Sequence, residues 1–425
     1  MKEADPALTT RPRINARAIL GKPARQATLR ESNLTTVAAH VFATDEPVSR
    51  AGIAEASGLT RATVTRIVET LIDARILEEL PTKPAGGVGR PVVPLAPARR
   101  SMAALGLEVN TATLGACVVD LTGEVLASAM VEGNFIDSEP AATLARLNRL
   151  AGSVLDEAGE TPYGLVGAHL SLPGIIDESS GALHVAPLLG WRNIHPRQLL
   201  GDIGSIPSSK IQLGSVGAVA SVAEATLRHQ DGSSQNFLYV AGDNALGCFL
   251  VVNGEPLTGM SGWSGNVGHT VIDPNGQVCR CGARGCLDTY IGRRYLLAQA
   301  GFPPNMSLDT FLAQASAGEN ARITASLERA GVALGEALAD LINFCPVKTI
   351  VLADNLAQLF PWIRRPVEDQ LKARVSASEW FLPTLEVSRT SRHAAMRGGA
   401  LTVLQGVIAD LHSWLETKEH VLTAS

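Results

Sequence analysis

A chain of 425 residues is too long for a single hydrophobic core, so two or three domains are expected. With 46% hydrophobic and 18% charged residues it is a packed globular chain and not a disordered one, and it lacks the apolar run of about eighteen residues that crosses a bilayer. The net charge of −5 is unevenly divided: the first hundred residues carry 15 Lys+Arg against 10 Asp+Glu and the remainder 21 against 31, so only the N-terminal end suits a polyanionic partner.

Residues 1–28 show no apolar periodicity and set Arg11, Arg13, Arg17, Lys22 and Arg25 among Pro and Ala, which reads as a basic mobile arm. The stretch from Met1 to Arg30 has no apolar segment of signal-peptide type, so a cytoplasmic location is expected. Six cysteines in so long a chain make no disulfide framework, in keeping with a reducing compartment.

A helical pattern begins at Leu29, with Leu34, Val37, Ala38, Val41 and Phe42 on one face. After the turn Asp45-Glu46-Pro47, Ser49 caps a short helix through Ala56; Gly58 breaks it and Thr60 caps a second, from Arg61 to about Ala74. Helix, glycine turn and helix form a helix-turn-helix. Val64, Ile67, Val68 and Leu71 make the buried stripe of its second helix. That leaves Arg61, Thr63, Thr65 and Arg66 for the major groove, with Ser49, Arg50 and Thr60 at the helix starts facing the same duplex. Residues 76–80 and 90–95, joined through Gly86-Gly87-Val88-Gly89, read as a wing that completes a DNA-binding domain over residues 29–97. Gly89-Arg90-Pro91 is a narrow extended segment suited to a minor groove, where arginine reads width and negative potential. The alternatives are a phosphate contact for Arg90 and a protein-binding role for the winged helix.

Residues 96–101 read as a linker. Met102–Val109 and Leu114–Asp120 are strands, and Asp120-Leu121-Thr122-Gly123 turns into a third. A helix capped near Ser138, with Pro140 in its first turn and Leu144, Leu147, Ala151, Val154 and Leu155 inward, leads to a buried strand at 164–172. Strands first, then strand–helix alternation, indicate an α/β domain. Further on, 326–344 reads as a helix, 348–353 as a buried strand, and 399–415 as a closing helix. Ile363, Val367 and Leu371 mark another helix, in which Pro366 is tolerable only near the start. Cys117, Cys248 and Cys345 are expected to be buried thiols, and Trp191, Trp263, Trp362, Trp380 and Trp414 packing residues.

The densest chemistry is His269, Cys279, Cys281 and Cys286, one imidazole and three thiols within eighteen residues. Three sulfurs and one nitrogen complete a tetrahedral Zn2+ shell of the closed, structural kind, and Gly276, Gly282 and Gly285 permit the tight turns it needs.

Several motifs together resemble the ROK family of repressors, open reading frames and kinases, specifically its transcription-factor branch. They are Gly89-Arg90-Pro91, Ser171-Leu172-Pro173-Gly174 with Asp177, Ala186-Pro187 with Gly190-Trp191, Gly268-His269, the cysteine cluster, Ser388, and Gly398-Gly399-Ala400. The resemblance implies a winged helix followed by a two-lobed, actin-like (ribonuclease-H-like) α/β ROK domain over residues 98–425, with zinc on the same four ligands. The lobes would span about 101–215 plus the C-terminal helix, and about 216–395.

Departures from the family pattern are equally informative. The kinases hold ATP with an Asp-x-Gly-Gly-Thr turn, where this chain has Glu108, Asn110, Thr111 and Ala112. Their second glycine turn reads Gly242-Asp243-Asn244-Ala245-Leu246-Gly247 here, with an added carboxylate. Ser215 and Val216 stand where the family has Asn and the catalytic Asp, and no Asp or Glu occurs from Ile203 through Ala223. Asn266 and Asp288 replace two sugar-binding Glu residues. An amide accepts with one oxygen only, and Asp reaches less far. The resemblance therefore implies a regulator, most simply a repressor, with a catalytically dead kinase-like domain. Ser215, Asn266, His269 and Asp288 form its candidate site for a sugar or sugar-derived effector. A homodimer or homotetramer would read an inverted repeat. The competing readings are an active sugar kinase carrying a DNA-binding domain and a ligand-blind repressor.

Overall fold

The computed structural model describes residues 29–44, 46–81, 93–159, 164–177, 179–259, 261–318, 320–390 and 393–416. The basic arm and Gly89-Arg90-Pro91 lie outside them. The first unit holds α1 (Leu29–Phe42), α2 (Arg50–Ser57) and α3 (Arg61–Asp73). Ser49 Oγ accepts from the Gly52 N–H at 3.0 Å and Thr60 Oγ1 from that of Thr63 at 3.2 Å, so each helix starts where a hydroxyl satisfies an unpaired backbone donor. Gly58, at φ +72°, ends α2 in the left-handed conformation. Val64, Ile67, Val68 and Leu71 are buried against Val37, Val41, Phe42 and Ile53. β1 (Leu77–Glu79) pairs antiparallel with β2 (Leu95–Pro97), later than the strand predicted at 90–95 and inside the supposed linker. The cause is Leu95: its side chain is fully buried, and its backbone also exchanges both hydrogen bonds with Val48.

The first lobe is built on β3 (Ala103–Val109), β4 (Thr113–Asp120), β5 (Val125–Glu132), α4 (Pro140–Ala158) and β6 (Leu165–Leu172). A small antiparallel sheet follows, of β7 (Ile175–Asp177), β8 (Ala182–Ala186) and β9 (Trp191–Ile194), then α5 (Pro196–Leu200) and β10 (Ile211–Ser215). The main sheet runs β10-β6-β3-β4-β5, with β10, β6 and β3 parallel. Glu139 caps α4, not Ser138, because its carboxylate reaches the N–H groups of Ala141 and Ala142.

α6 (Val216–Gln230) leads into the second lobe, which contains β11 (Phe237–Gly242), β12 (Leu246–Val252), β13 (Glu255–Pro256), α7 (Asp288–Ile291), α8 (Arg293–Gln299), α9 (Leu308–Ala317), α10 (Ala321–Phe344), β14 (Thr349–Leu352), α11 (Asn355–Arg374) and β15 (Thr384–Val387). Its sheet runs β13-β12-β11-β14-β15. Pro366 sits deep inside α11 and not near its start. The cost of an internal proline, roughly 3 kcal/mol, is exceeded by burying Leu356, Leu359, Ile363, Val367 and Leu371, each contributing roughly 1.5–3 kcal/mol. The Pro366 ring also lies directly over Gly331 of α10, where no side chain stands in its way.

α12 (Ala394–Ala409) returns to the first lobe. A Cβ on Gly106 would stand 1.7 Å from the Met396 carbonyl oxygen, so β3 can meet this helix only at glycine. Met396, Ala400, Leu401, Leu404 and Ile408 share one continuous core with α1, α3, Met102 and Cys117. The N-terminal helical unit is thus packed onto the two-lobed domain and not hung from it. Trp191 is buried and donates Nε1–H to the Ser138 carbonyl. Trp263 and Trp380, at 47% and 83% exposed, are not the packing residues expected; both lie outside the helices and strands. Cys345 is half-buried, since it follows the last turn of α10 where the chain leaves the core.

Candidate metal centre and interlobe site

His269 ends a short 3-10 turn, Val267–His269, and the three cysteines follow in a loop pinned by bridges between Val271 and Cys286 and between Val278 and Arg284. The four ligand atoms all lie within 4.8 Å of one another. Cys281 Sγ is 3.7 Å from Cys286 Sγ, and Cys279 Sγ is 3.8 Å from His269 Nδ1. Sulfurs bound tetrahedrally at about 2.3 Å sit about 3.8 Å apart, so the cluster has the size and donor set to hold a metal ion. Gly285 is required for it: at φ +64°, a Cβ there would be 1.6 Å from the Asp273 carbonyl oxygen. Between two of the cysteines, Arg280 reaches across to the first lobe and pairs with Asp137 at 2.6 Å.

Of the candidate effector residues, Asp288 and His269 meet beside this loop. Asp288 Oδ2 lies 3.7 Å from His269 Nδ1, and Oδ1 accepts from the Leu246 N–H at 2.9 Å. Burial pushes the Asp288 carboxyl up to about 7. Gly268 makes room for it, since a Cβ there would be 2.1 Å from Oδ1. Asn266 is exposed and donates Nδ2–H to the Trp263 carbonyl at 2.9 Å. Ser215 precedes the first turn of α6 without capping it. The Phe249 ring lies against both Gly217 and Gly265, and so joins the start of α6 to the loop that carries Asn266. Phe249, an apolar residue in an apolar strand, carried no sequence signal for this role.

Where a kinase would have two glycine cradles, side chains bridge the lobes. Thr111 Oγ1 donates to Asp243 Oδ2 at 3.4 Å, and Asn244 Nδ2 donates to Thr111 Oγ1 at 3.2 Å and to Asp243 Oδ2 at 2.9 Å. Asn355 Nδ2 donates to Asp243 Oδ1, which also faces Arg293 Nε at 2.7 Å. Beneath them Glu108 is buried and held by Asn110 Nδ2 at 3.2 Å; burial, then the charge of Asp354, pushes its carboxyl up to about 8. The sequence flagged Thr111 and Asp243 as departures but gave no sign that they meet, nor of Arg293 and Asn355.

On the N-terminal helical unit, Arg61 and Arg66 of α3 are exposed and Thr63 and Thr65 half-buried. The Ser49 and Thr60 hydroxyls accept the capping bonds, and Arg50 pairs with Glu79 of β1 at 2.8 Å. Of the seven described candidates, Arg61 and Arg66 therefore have the freest charged groups.

Residues 104–406 match the ROK family and residues 40–81 the IclR helix-turn-helix domain. The chain is 25% identical over 333 residues to the xylose repressor of Bacillus subtilis (strain 168), covering 78% of this chain and 84% of that protein. It is 28% identical over 348 residues to the DNA-binding transcriptional dual regulator NagC of Escherichia coli K12, covering 77% and 82%. Among solved structures, a ROK family transcriptional regulator, a homologue of E. coli Mlc, superposes with a TM-score of 0.72 at 23% identity over 90% of this chain and 98% of that one. A ROK family glucokinase from Streptomyces griseus, in complex with glucose and AMPPNP, superposes with a TM-score of 0.58 at 16% identity over 70% and 98%. The two-lobed fold, the Cys/His centre and the matched span agree, and the chain belongs to the ROK family, with an IclR-type helix-turn-helix ahead of its ROK domain.

Proposed function

We propose that this protein is a sequence-specific transcriptional repressor whose kinase-like domain binds a sugar or sugar derivative without phosphorylating it. One observation carries the reading. α6 begins directly after Ser215 of the candidate effector site, and in its last turn His229 Nε2 lies 3.1 Å from the Ala43 carbonyl oxygen at the end of α1. A helix of this length spans about 22 Å, so one rigid element links the interlobe site to the DNA-binding unit.

The relatives support an effector of this class, being named for xylose and for N-acetylglucosamine. Loss of catalysis is supported by Val216 at the position of the catalytic carboxylate and by the Thr111–Asp243–Asn244 bridge across the nucleotide cleft. The metal is assigned as structural Zn2+, held by His269, Cys279, Cys281 and Cys286, where it would fix the loop that presents His269 and Arg280. α3 would read the major groove through Arg61, Thr63, Thr65 and Arg66. Ser49, Arg50, Thr60 and the wing residues Gly89, Arg90 and Pro91 would touch the flanking backbone or minor groove. A symmetric dimer or tetramer would recognise an inverted repeat in the cytoplasm; among the described residues no helix is long and apolar enough to cross a membrane.

The test is selection of a bound sequence from random duplexes, then titration of that operator with and without sugars, beside a coupled ATP-turnover assay. Specific binding weakened by a sugar, with no turnover, supports the reading. Sugar-dependent ATP hydrolysis overturns the loss of catalysis, and indifference to every sugar leaves a ligand-blind repressor.

A further inference from the structure

Trp263 belongs to the loop between β13 and the turn Val267–His269, yet its ring meets a side chain of the other lobe. His184, on β8, stands edge-on to the indole with centroids 5.5 Å apart and planes at 84°. A ring so placed lies at the seam between the lobes, and this one is still 47% exposed. It sits three residues from Asn266, whose Nδ2 donates to the Trp263 carbonyl at 2.9 Å. That bond turns the amide nitrogen back into the protein and leaves Oδ1 as the acceptor. Indole and amide are thus held on one short piece of backbone.

Charge narrows the class of ligand. Arg280 is paired with Asp137 at 2.6 Å and Arg293 with Asp243 at 2.7 Å, while Arg284 reaches the Gly276 carbonyl at 3.5 Å. These are the arginines of residues 266–293; two are held by carboxylates and the third makes a long contact with a neutral carbonyl. The remaining groups are the Asn266 amide, the His269 imidazole, the Asp288 carboxyl and the Ser215 hydroxyl, which match hydroxyls. The uncapped first turn of α6 adds backbone N–H donors, which would suit a hydroxyl or an anion.

We propose that Trp263, braced by His184, is the stacking platform of the effector site and that the site selects a neutral saccharide, not a sugar phosphate. The C–H face of a pyranose lies against the exposed indole while its hydroxyls reach Asn266 and Asp288. This rests on the effector reading above.

The test is isothermal titration and tryptophan emission on the full-length zinc-loaded protein. The probes are D-xylose, D-glucose, N-acetyl-D-glucosamine and cellobiose, with glucose 6-phosphate and N-acetylglucosamine 6-phosphate as charged counterparts. At least one neutral sugar is expected to bind and shift the emission, with the phosphates weaker. Trp263→Ala should weaken binding about tenfold or more and Trp263→Phe only about threefold, the difference a retained aromatic face makes. Trp380→Ala, exposed elsewhere on the second lobe, should bind as wild type, and unchanged melting and zinc content would exclude misfolding. Undiminished binding by Trp263→Ala, or a phosphate ester that binds tighter than its parent sugar, overturns the proposal and leaves the effector reading standing. Wild-type protein that binds its operator but no neutral or phosphorylated sugar overturns both.

Discussion

Gly398 of α12 lies so close to Val219 of α6 that a Cβ on it would stand 1.8 Å from the Val219 carbonyl oxygen. α6 packs on the second sheet and α12 on the first, so this helix crossing joins the lobes. Both helices also reach the DNA-binding unit, α12 through the shared core and α6 through His229.

Gly398→Ala should therefore destabilise the protein by about 1–3 kcal/mol or more, because backbone and not a flexible side chain would have to move. Gly406, on the exposed face of the same helix, has nothing within 4 Å of its Cβ position. Gly406→Ala should stabilise by roughly 0.5–1 kcal/mol. Paired thermal melts of the two variants check this.

Glu108 provides a pH signature. Its folded value, about 8, lies above the ordinary carboxyl value of 4.5, so the folded state holds the proton more tightly than the unfolded one. Its contribution to stability is complete below the unfolded value and is lost as pH rises from there through about 8. Glu108→Gln keeps a neutral group of the same shape. Its stability relative to wild type should rise across that window by on the order of a few kcal/mol and level off above it. Urea melts at a series of pH values measure the difference.

His229→Ala should leave both operator and sugar binding near wild type when each is measured alone. The effect of sugar on operator affinity should fall about fivefold, the order expected for one lost hydrogen bond of about 1 kcal/mol. Fluorescence anisotropy on a labelled operator, with and without the sugar, reads it directly.

Arg66→Ala should weaken operator binding by about 1–3 kcal/mol without lowering the melting temperature, since its side chain is exposed. Arg50→Ala should cost less binding, because its guanidinium is already paired with Glu79. The dependence of affinity on salt separates a phosphate contact, which flattens the slope, from a base contact, which does not.

Removing the metal with a chelator should lower the melting temperature and loosen the contact of Arg280 with Asp137. Arg280→Ala should retain one metal ion per chain, because its side chain is not a ligand. Zinc content by mass spectrometry, beside the melt, distinguishes loss of the ion from loss of the interlobe pair.

What the sequence determined alone is whatever depends on near neighbours. Ser49 and Thr60 mark helix starts because a cap reaches only two or three residues ahead. The apolar stripe of α3 follows from its 3.6-residue period, and one imidazole with three thiols in a short glycine-rich loop can scarcely avoid meeting. The missing glycines, the missing carboxylate before α6 and the candidates Ser215, Asn266, His269 and Asp288 came instead through the resemblance to the ROK family. Tertiary structure decided everything that joins distant segments. Thr111 meets Asp243 across 132 residues and His229 meets Ala43 across 186, and neither pair has any local periodicity to betray it. Trp263 looked like core because tryptophan usually is, whereas the fold sets it T-shaped against His184 of the opposite lobe and leaves it 47% exposed. Pro366 was misplaced for the same reason: its cost is local, but the burial against α10 that outweighs it depends on which helix the fold brings alongside.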